Sequence, residues 1–257
     1  MDMCPTLDPL PAQRPPTTPP GRPAALFVAN SLWLDFVNTR YVERNRPVDV
    51  LSSFDALIGW LVESGALAAA DAHKAIARWS GTAEGAEVLA EARVFRDTLR
   101  DLAERLAAGP GEHEMKVPEE RGHAVPAAMT AAVAAINAIL RADVRYDELT
   151  LAPAHGVASA RVERHARRTD SAPLRLLAPL ADSVSELLCG GDASRVHRCE
   201  NPKCVLYFYD TTRNRRRRFC TPEGCGNRVK AAARYRRSRE SGTTGQVNAG
   251  GAHPDRR

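Results

Sequence analysis

Four cysteines near the C-terminal end constrain the fold of this chain more than any other feature of its sequence. They form two pairs with the same internal spacing, CENPKC and CTPEGC, and 15 residues separate the pairs. Two such pairs suit a tetrahedral zinc ion, because each pair wraps one side of the metal and the chain between them returns as a hairpin. The spacing predicts a zinc site with four ligands: Cys199, Cys204, Cys220 and Cys225.

Roles for the four cysteines besides structural zinc binding fit their pattern less well. Four thiolates complete a tetrahedral shell and leave no open position for water, so a structural zinc is favoured over a catalytic one. An iron–sulfur cluster uses the same ligands and stays open as an alternative. Disulfides are disfavoured, because the chain has neither a secretory signal pattern nor an apolar run long enough to span a membrane, which predicts a cytoplasmic protein. His197 is a possible substitute ligand but is expected to lie at the surface.

Charge is distributed very unevenly along the 257 residues. The whole chain carries only +5, but residues 195–240 contain 14 basic and 4 acidic residues, a net charge of +10. Residues 1–194 carry −6 and residues 241–257 carry +1. A divalent zinc ion with four thiolates offsets only a small part of the excess. The segregation predicts a polyanionic partner for the basic segment, and we favour nucleic acid.

Composition divides the chain into four parts. Residues 1–24 contain 8 of the 18 prolines and few large apolar side chains, so they are expected to be disordered, as is the tail at 241–257. Residues 25–192 are expected to form a mostly helical body with one short hairpin near 149–162 that turns at Gly156. Residues 195–240 are expected to form the zinc module. Together these expectations define an α+β protein.

Apolar residues in the body repeat at steps of three and four, which predicts helices. The clearest helix covers about 84–108, and shorter ones are expected at about 71–79 and 180–189. Ser52 resembles the first residue of a capping box, and Cys189 is expected to pack as a buried apolar residue. The helix that begins at Pro126 is expected to bury Met129, Val133, Ile136 and Leu140.

The segment around the cysteine pairs carries its own secondary-structure signals. VLYFYD has the composition of a strand, TTRN that of a turn, and RRRRF is expected to form the return strand. After Cys225, GNRVKAAARYRRSR has few helix breakers and predicts a helix, which Asn227 is expected to cap. A cysteine turn, a hairpin and a second ligand pair entering a helix make the treble-clef arrangement.

Two groups of residues are candidates for contacts with nucleic acid. The first lies on the expected hairpin tip and return strand, where about half of the side chains should face a ligand. The second lies on the terminal helix, which would read guanine from the major groove or contact only phosphates along the backbone. The first group is Arg213, Arg215, Arg216, Arg217 and Arg218, and the second is Asn227, Arg228, Lys230, Arg234 and Arg237.

These motifs resemble those of a known family. Residues 225–228 spell CGNR, within R-x-C-x4-CGNR-x-K, and R-C-x-N-P-x-C and F-x-D-T-x-R-N-R precede them. Residues 195–239 are similar to the CGNR zinc-finger family of bacterial stress-induced transcription regulators, and LDFVNT at 34–39 resembles that family's N-terminal ABATE domain. The resemblance implies an α/β body of uncommon fold and a treble-clef module that binds zinc and DNA. The proline-rich extension and the four consecutive arginines depart from the family pattern.

The sequence favours a zinc-dependent DNA-binding regulator. Its body would form a homodimer or sense a small-molecule effector, and the acidic body would dock on the basic module and gate it. One alternative is an RNA-binding protein, and another is an adaptor whose zinc module only scaffolds a protein interaction. In the RNA alternative, the aromatic residues that would stack on bases are Tyr207, Phe208, Tyr209, Phe219 and Tyr235.

Two further expectations concern the body. It has no phosphate-binding glycine loop, no metalloprotease histidine pair and no nucleophile elbow, so we expect no enzymatic activity. In LDFVNT, three polar residues lie among large apolar ones: Asp35, Asn38 and Thr39. We expect them to act as caps and turn formers rather than as a ligand site.

Overall fold

The computed structural model describes residues 26–109, 126–153, 160–168 and 172–243. The helices in these ranges are α1 (Leu32–Val37), α2 (Phe54–Glu63), α3 (Ala69–Trp79), α4 (Ala83–Ala108), α5 (Ala127–Ala142), α6 (Ala178–Gly190) and α7 (Asn227–Thr243). The strands are β1 (Arg40–Glu43), β2 (Arg46–Asp49), β3 (Arg145–Pro153), β4 (Ala160–Arg168), β5 (Val196–Arg198) and β6 (Tyr207–Tyr209). The expected class, mostly helical with small antiparallel hairpins, is confirmed.

Several expectations fall on parts of the chain beyond these ranges. The proline-rich segment 1–24, the turn at Gly156 and most of the C-terminal tail lie outside the described residues. None of the helices in the described ranges is both long and apolar enough to cross a membrane.

The core of the body forms around two helices of very different length. α1 has only six residues, and the side chains of Trp33 and Phe36 on it are fully buried. The Phe36 ring lies 5.5 Å from the Trp60 ring of α2 and 6.2 Å from the Phe95 ring of α4. The 26-residue helix α4 buries five of the six residues in the apolar stripe that its periodicity predicts, and the sixth, Leu106, is half-buried. The five are Val88, Ala92, Phe95, Leu99 and Leu102.

Three local predictions in the body need correction. α2 is capped by Ser53, whose hydroxyl accepts a hydrogen bond from the amide of Ala56, and not by Ser52. α5 buries Ala132, Ile136 and Ile139, and Val133 is 42% exposed. Of the four predicted residues, Ile136 is buried and Met129 and Leu140 are half-buried, so only Val133 is wrong. Packing on α4 and α6 turns the buried face slightly, towards Ala132 and Ile139. Cys189, at the end of α6, is exposed rather than buried.

Two hairpins belong to the body. β3 and β4 pair antiparallel over nine residues each, so the expected hairpin exists and is longer than predicted. β1 and β2 form a second hairpin, which the sequence pattern did not predict. Its two turn residues, Arg44 and Asn45, both have left-handed backbone angles (φ 47° and 63°), as a type I′ turn requires. Asn45 was the feature of the sequence that could have predicted this turn, because asparagine tolerates left-handed backbone angles.

An ion pair between the buried Arg96 and the half-buried Asp49 fastens the β1–β2 hairpin to α4. Arg96 is 2% exposed and donates two hydrogen bonds to the carboxylate of Asp49 (2.7 and 2.8 Å) and one to the hydroxyl of Thr39 (3.1 Å). Burial raises the pKa of Asp49, but the hydrogen bonds and charge of Arg96 outweigh it and hold the pKa below its usual value. This pairing fixes the chain that leads out of LDFVNT.

Candidate metal centre and basic surface

The first cysteine pair lies in a tight turn between β5 and β6. These strands pair antiparallel, with His197 opposite Phe208. Within the turn, the carbonyl of Asn201 accepts a hydrogen bond from the amide of Cys204 (2.8 Å), and its side-chain oxygen accepts one from the amide of Lys203 (3.1 Å). This local bonding explains the Asn-Pro sequence of the turn, which brings the two thiols together.

The second cysteine pair lies at the start of a helical segment that begins at Pro222, earlier than the sequence pattern predicts. The hydroxyl of Thr221 accepts a hydrogen bond from the amide of Gly224 (3.2 Å), and Pro222 takes the first helical position. One turn of π-helix, Pro222–Gly226, then continues directly into α7. The expected cap at Asn227 is therefore wrong, because the backbone is already helical there (φ −67°, ψ −37°). Thr221-Pro222 was the sequence signal for this start.

The four thiols converge on one small volume. Their sulfur atoms all lie within 4.8 Å of one another, and Cys199, Cys220 and Cys225 are buried. The Sγ atoms of Cys204 and Cys220 are 3.9 Å apart, too far for a disulfide. Metal–sulfur bonds of about 2.3 Å in a tetrahedron place the sulfur atoms about 3.8 Å apart. The donor set and its spacing therefore fit one tetrahedral metal ion.

Hydrogen bonds support negative charge on the sulfur atoms. The amide of Cys220 donates to the Sγ atom of Cys199 (3.4 Å), and the Asn201 side chain donates to the Sγ atom of Cys225 (3.2 Å). Hydrogen bonds from the Cys204 and Cys220 thiols lower the pKa of Cys199 to about 2, and the hydrogen bond to Cys199 raises the pKa of Cys204 to about 12. A cation that binds these sulfur atoms as thiolates would release the protons that they carry.

The segment between the cysteine pairs does not form the expected return strand. β6 pairs with β5, and residues 210–219 form an irregular loop. The loop is organised by the buried carboxylate of Asp210, which accepts hydrogen bonds from the amides of Thr212 (2.8 Å) and Arg217 (3.0 Å). Arg215 has a left-handed backbone (φ 50°), which an extended strand does not allow. The RRRRF strand is therefore wrong.

Arg217 in this loop turns inward. Its guanidinium lies 4.3 Å from the centre of the Phe208 ring and donates to the carbonyls of Val28 (2.5 Å), Phe219 (3.1 Å) and Cys220. Phe219 and Cys220 belong to the zinc module, whereas Val28 belongs to the body. Arg217 therefore ties the loop, the second cysteine pair and the body together.

The body completes the outer edge of β6. The amide nitrogen of Asn38 donates to the carbonyl of Tyr207 (2.8 Å), and the amide of Tyr207 donates to the Asn38 side-chain oxygen (3.0 Å). The amide of Tyr209 donates to the carbonyl of Ala29 (2.8 Å). A strand edge in a buried position needs such partners, and Asn38 supplies two of them. Thr39 donates to the Phe36 carbonyl, as a turn former should. Asn38 occupies the C-cap position of α1, as expected, but its side chain bonds to Tyr207 rather than locally.

We expect Asn38→Leu to destabilise the protein by about 3 kcal/mol. Leucine has a similar volume, but it leaves both backbone groups of Tyr207 without the partners that they have in this buried position. Urea denaturation at fixed zinc concentration would measure the loss. Thr211→Ala, which removes an exposed hydrogen bond from Asn30, is the control and should cost less than about 0.5 kcal/mol. Equal losses in the two variants would contradict this role of Asn38.

Asp35 is a buried carboxyl group at the same junction. Its Oδ1 atom accepts hydrogen bonds from the amides of Val28 and Ala29 (both 2.9 Å). Burial raises its pKa from 3.8 to about 7, against the opposing effects of these hydrogen bonds and of the charge of Arg217. Asp35 therefore holds the backbone that leads into α1 and does not act as the expected helix cap, since the N-cap position belongs to Ser31. Its carboxyl group is only partly ionised near neutral pH.

The raised pKa of Asp35 predicts a falling stability as pH rises. The folded state binds the proton more tightly than the unfolded state, so the stabilisation is complete below the unfolded pKa and is lost as pH rises through about 7. Between about pH 5.5 and 8.5 the wild type should lose about 2 kcal/mol relative to Asp35→Asn, whose amide oxygen keeps both hydrogen bonds. Urea denaturation of both proteins with zinc present measures the difference. Parallel pH profiles would contradict the assignment.

The structure divides the ten proposed nucleic-acid residues into two groups. Three arginines have partners within the protein: Arg215 pairs with Asp192 (2.8 Å), Arg218 pairs with Glu200 (2.5 Å), and Arg217 points inward. Five basic residues are exposed and form no ion pair within the described ranges. They are Arg213, Arg216, Arg228, Lys230 and Arg234. Asn227 and Arg237 are also exposed.

α7 carries the exposed basic residues of the second group. From 227 to 239 the sequence contains six basic residues and no acidic one, and only Val229 and Ala233 are half-buried in that stretch. Because the helical backbone begins at Pro222, Arg228 lies well inside the helix rather than at its positive end. α7 therefore presents positive charge on most of its surface, directly after the last cysteine.

Comparison with known families agrees with this arrangement. The model of the family ABATE, described as "Putative stress-induced transcription regulator", matches residues 30–191. The model of the CGNR zinc finger matches residues 195–238. No curated protein shows significant similarity to the chain. The first match covers more than half of the 257 residues and the two follow in the expected order, so the protein belongs to the ABATE family and carries a CGNR zinc finger as its C-terminal module.

Proposed function

We propose that the four-cysteine cluster holds a structural zinc ion. Four sulfur donors at tetrahedral spacing suit zinc, and a filled shell leaves no position for a catalytic water. The hydrogen bonds from Asn201 and the amide of Cys220 are the outer contacts that orient such ligands. In this role the ion joins the β5–β6 turn to the start of α7. The treble-clef arrangement of the module stays a prediction.

We further propose that the zinc module binds DNA and that the protein is a transcription regulator without enzymatic activity. The observation that carries this proposal is α7, a helix with six basic and no acidic residues from 227 to 239 and with little burial against the body. Charge of one sign on an exposed helix repels itself and favours a polyanion. The family description supports the regulatory part.

The structure weakens the case for single-stranded RNA. Stacking on unpaired bases needs exposed aromatic rings. Tyr207 and Phe208 are buried, Tyr209 and Phe219 are half-buried, and only Tyr235 of the five candidates is exposed. Duplex DNA, bound through phosphates and base edges, does not need these rings. Homodimer formation through the body stays a prediction.

Selection from a random duplex DNA library tests the proposal. The zinc-loaded full chain should enrich a sequence motif, and single-stranded RNA should compete poorly. A triple variant, Arg228→Gln, Lys230→Gln and Arg234→Gln, should lose enrichment, whereas Arg218→Gln, a change in an arginine paired with Glu200, should keep it. Failure to enrich any motif, or stronger competition by RNA than by duplex DNA, would overturn the assignment to DNA.

A further inference from the structure

α7 is attached to the rest of the protein along one side only. Val229 and Ala233, one turn apart, are half-buried, whereas every other residue from 227 to 239 is exposed. An α-helix turns by about 100° per residue, so the side opposite to these two residues carries Ala231, with Asn227 one turn before it. Asn227 and Ala231 define the outward line of α7, the part of the helix that points away from the protein.

The positive charges of α7 lie on both sides of the outward line rather than on it. Lys230 and Arg234 lie on one side, and Arg228 lies on the other. All three are exposed, and none forms an ion pair in the part of the chain that the structure describes. A helix that lies across one phosphate backbone needs its charges on the line of contact. A helix in the major groove, which is about 12 Å wide, instead meets base edges with its central line and the phosphates of the two strands with its sides, as α7 is built to do.

Asn227 has a side chain that suits the reading of a base from this line. Thr221 already caps the helical segment, and the Asn227 side chain forms no hydrogen bond within the described ranges. A primary amide matches the major-groove edge of adenine, because its oxygen accepts from N6 and its nitrogen donates to N7. Ala231 lies about 6 Å further along the helix axis, the length of about two base-pair steps. A small apolar side chain in that place suits the methyl group of thymine.

We propose that α7 inserts into the major groove of duplex DNA and that Asn227 reads an adenine there, with Ala231 against a nearby thymine. This inference rests on the proposed function and names what the basic helix recognises. Asn227 then determines specificity, because its hydrogen bonds depend on the base that it meets. The three flanking cations supply affinity that does not depend on the sequence of the DNA.

Asn227→Ala tests the reading of adenine. The zinc-loaded full chain and the variant are each taken through selection from a random duplex library, and fluorescence anisotropy then gives their affinities for the selected site and its single-base changes. The variant should lose about tenfold of the preference for adenine at one position and keep the slope of log affinity against log salt. Arg228→Gln, a change in the next residue, is the matched control and should weaken binding to all sequences alike and lower the slope by about 1. A uniform loss of affinity in Asn227→Ala, or an unchanged motif, overturns the inference.

Ala231→Leu is a second variant that decides the matter if Asn227→Ala fails to hold its zinc. Leucine is a good helix former, and position 231 is exposed, so the fold should persist. Its longer side chain keeps the helix away from the base edges. Binding to the selected site should weaken at least about tenfold, and binding to unrelated duplex DNA, which depends on phosphates, should stay the same. If the wild type enriches no motif, the proposed function and this inference both fail. If it enriches a motif that both variants bind as the wild type does, only this inference fails.

Discussion

Replacing Cys225 with serine will abolish stoichiometric metal binding. Wild-type protein dialysed against a weak chelator should retain about one zinc ion per chain, and Cys225→Ser close to none, because three thiolates and a hydroxyl bind zinc far less well than four thiolates. Cys225 is buried and joins the helical turn at Pro222–Gly226 to the other three sulfur atoms. Its loss removes the link between the first cysteine turn and α7. Inductively coupled plasma mass spectrometry measures the metal content.

Cys189→Ser is the matched control for this variant. Cys189 is an exposed thiol at the end of α6 and lies outside the cluster. Its replacement should leave the metal content and the thermal stability unchanged. Retention of one zinc ion per chain by Cys225→Ser, or an equal loss in Cys189→Ser, would falsify the assignment of the ligands.

Metal loss should unfold the module without unfolding the body. The binding free energy of structural zinc in small domains is of the order of 10 kcal/mol, which exceeds what a short loop and two three-residue strands can supply. The core of the body is instead formed by α1 and the buried face of α4, which contribute none of the four cysteines. Hydrogen exchange should therefore accelerate around Cys199 and Cys220 after chelation, while α4 stays protected.

Local signals in the sequence were sufficient to predict the cysteine cluster and the longest helix of this structure. The cysteine spacing predicted which four thiols come together, because each pair needs only a tight turn. The periodicity of α4 predicted both its extent and its buried face. Errors arose where two local solutions compete, as in the choice between Ser52 and Ser53 as cap. Moving the start of a helix by one residue changes its local free energy very little, so tertiary packing determines which of the two residues becomes the cap.

Several remaining features depend on partners that are distant in the sequence. Asn38 pairs with Tyr207, 169 residues away, and its pattern within LDFVNT is that of a turn former. The return strand was wrong for a more local reason. RRRRF has the composition of a strand, but the carboxylate of Asp210, seven residues earlier, accepts a hydrogen bond from the amide of Arg217. The sequence shows which groups are able to bond, and the three-dimensional fold decides which of the possible partners they meet.

The binding of duplex DNA should weaken steeply with salt. A protein that neutralises six to ten phosphates loses about 10³–10⁵ in affinity between 50 and 200 mM salt, because each contact releases condensed counterions. The sequence alone assigned ten residues, nine of them basic, to contacts with nucleic acid, but three of the arginines have partners inside the protein. The exposed residues Arg228, Lys230 and Arg234 remain as candidates for phosphate contacts on α7. Replacing all three with glutamine should reduce the slope of log affinity against log salt by about 3.

Arg218→Gln is the control for this salt dependence. The Arg218 guanidinium lies 2.5 Å from the carboxylate of Glu200, so its charge is already balanced and its loss should change the slope by less than about 1. Fluorescence anisotropy with a labelled duplex, measured at several salt concentrations, gives the slopes of the three proteins. An affinity that is flat across this range would exclude phosphate contacts as the basis of binding. If Arg218→Gln lowers the slope as much as the triple variant does, the DNA contacts lie on the loop at 210–219 rather than on α7. The ion pairs of that loop would then have to open when DNA binds.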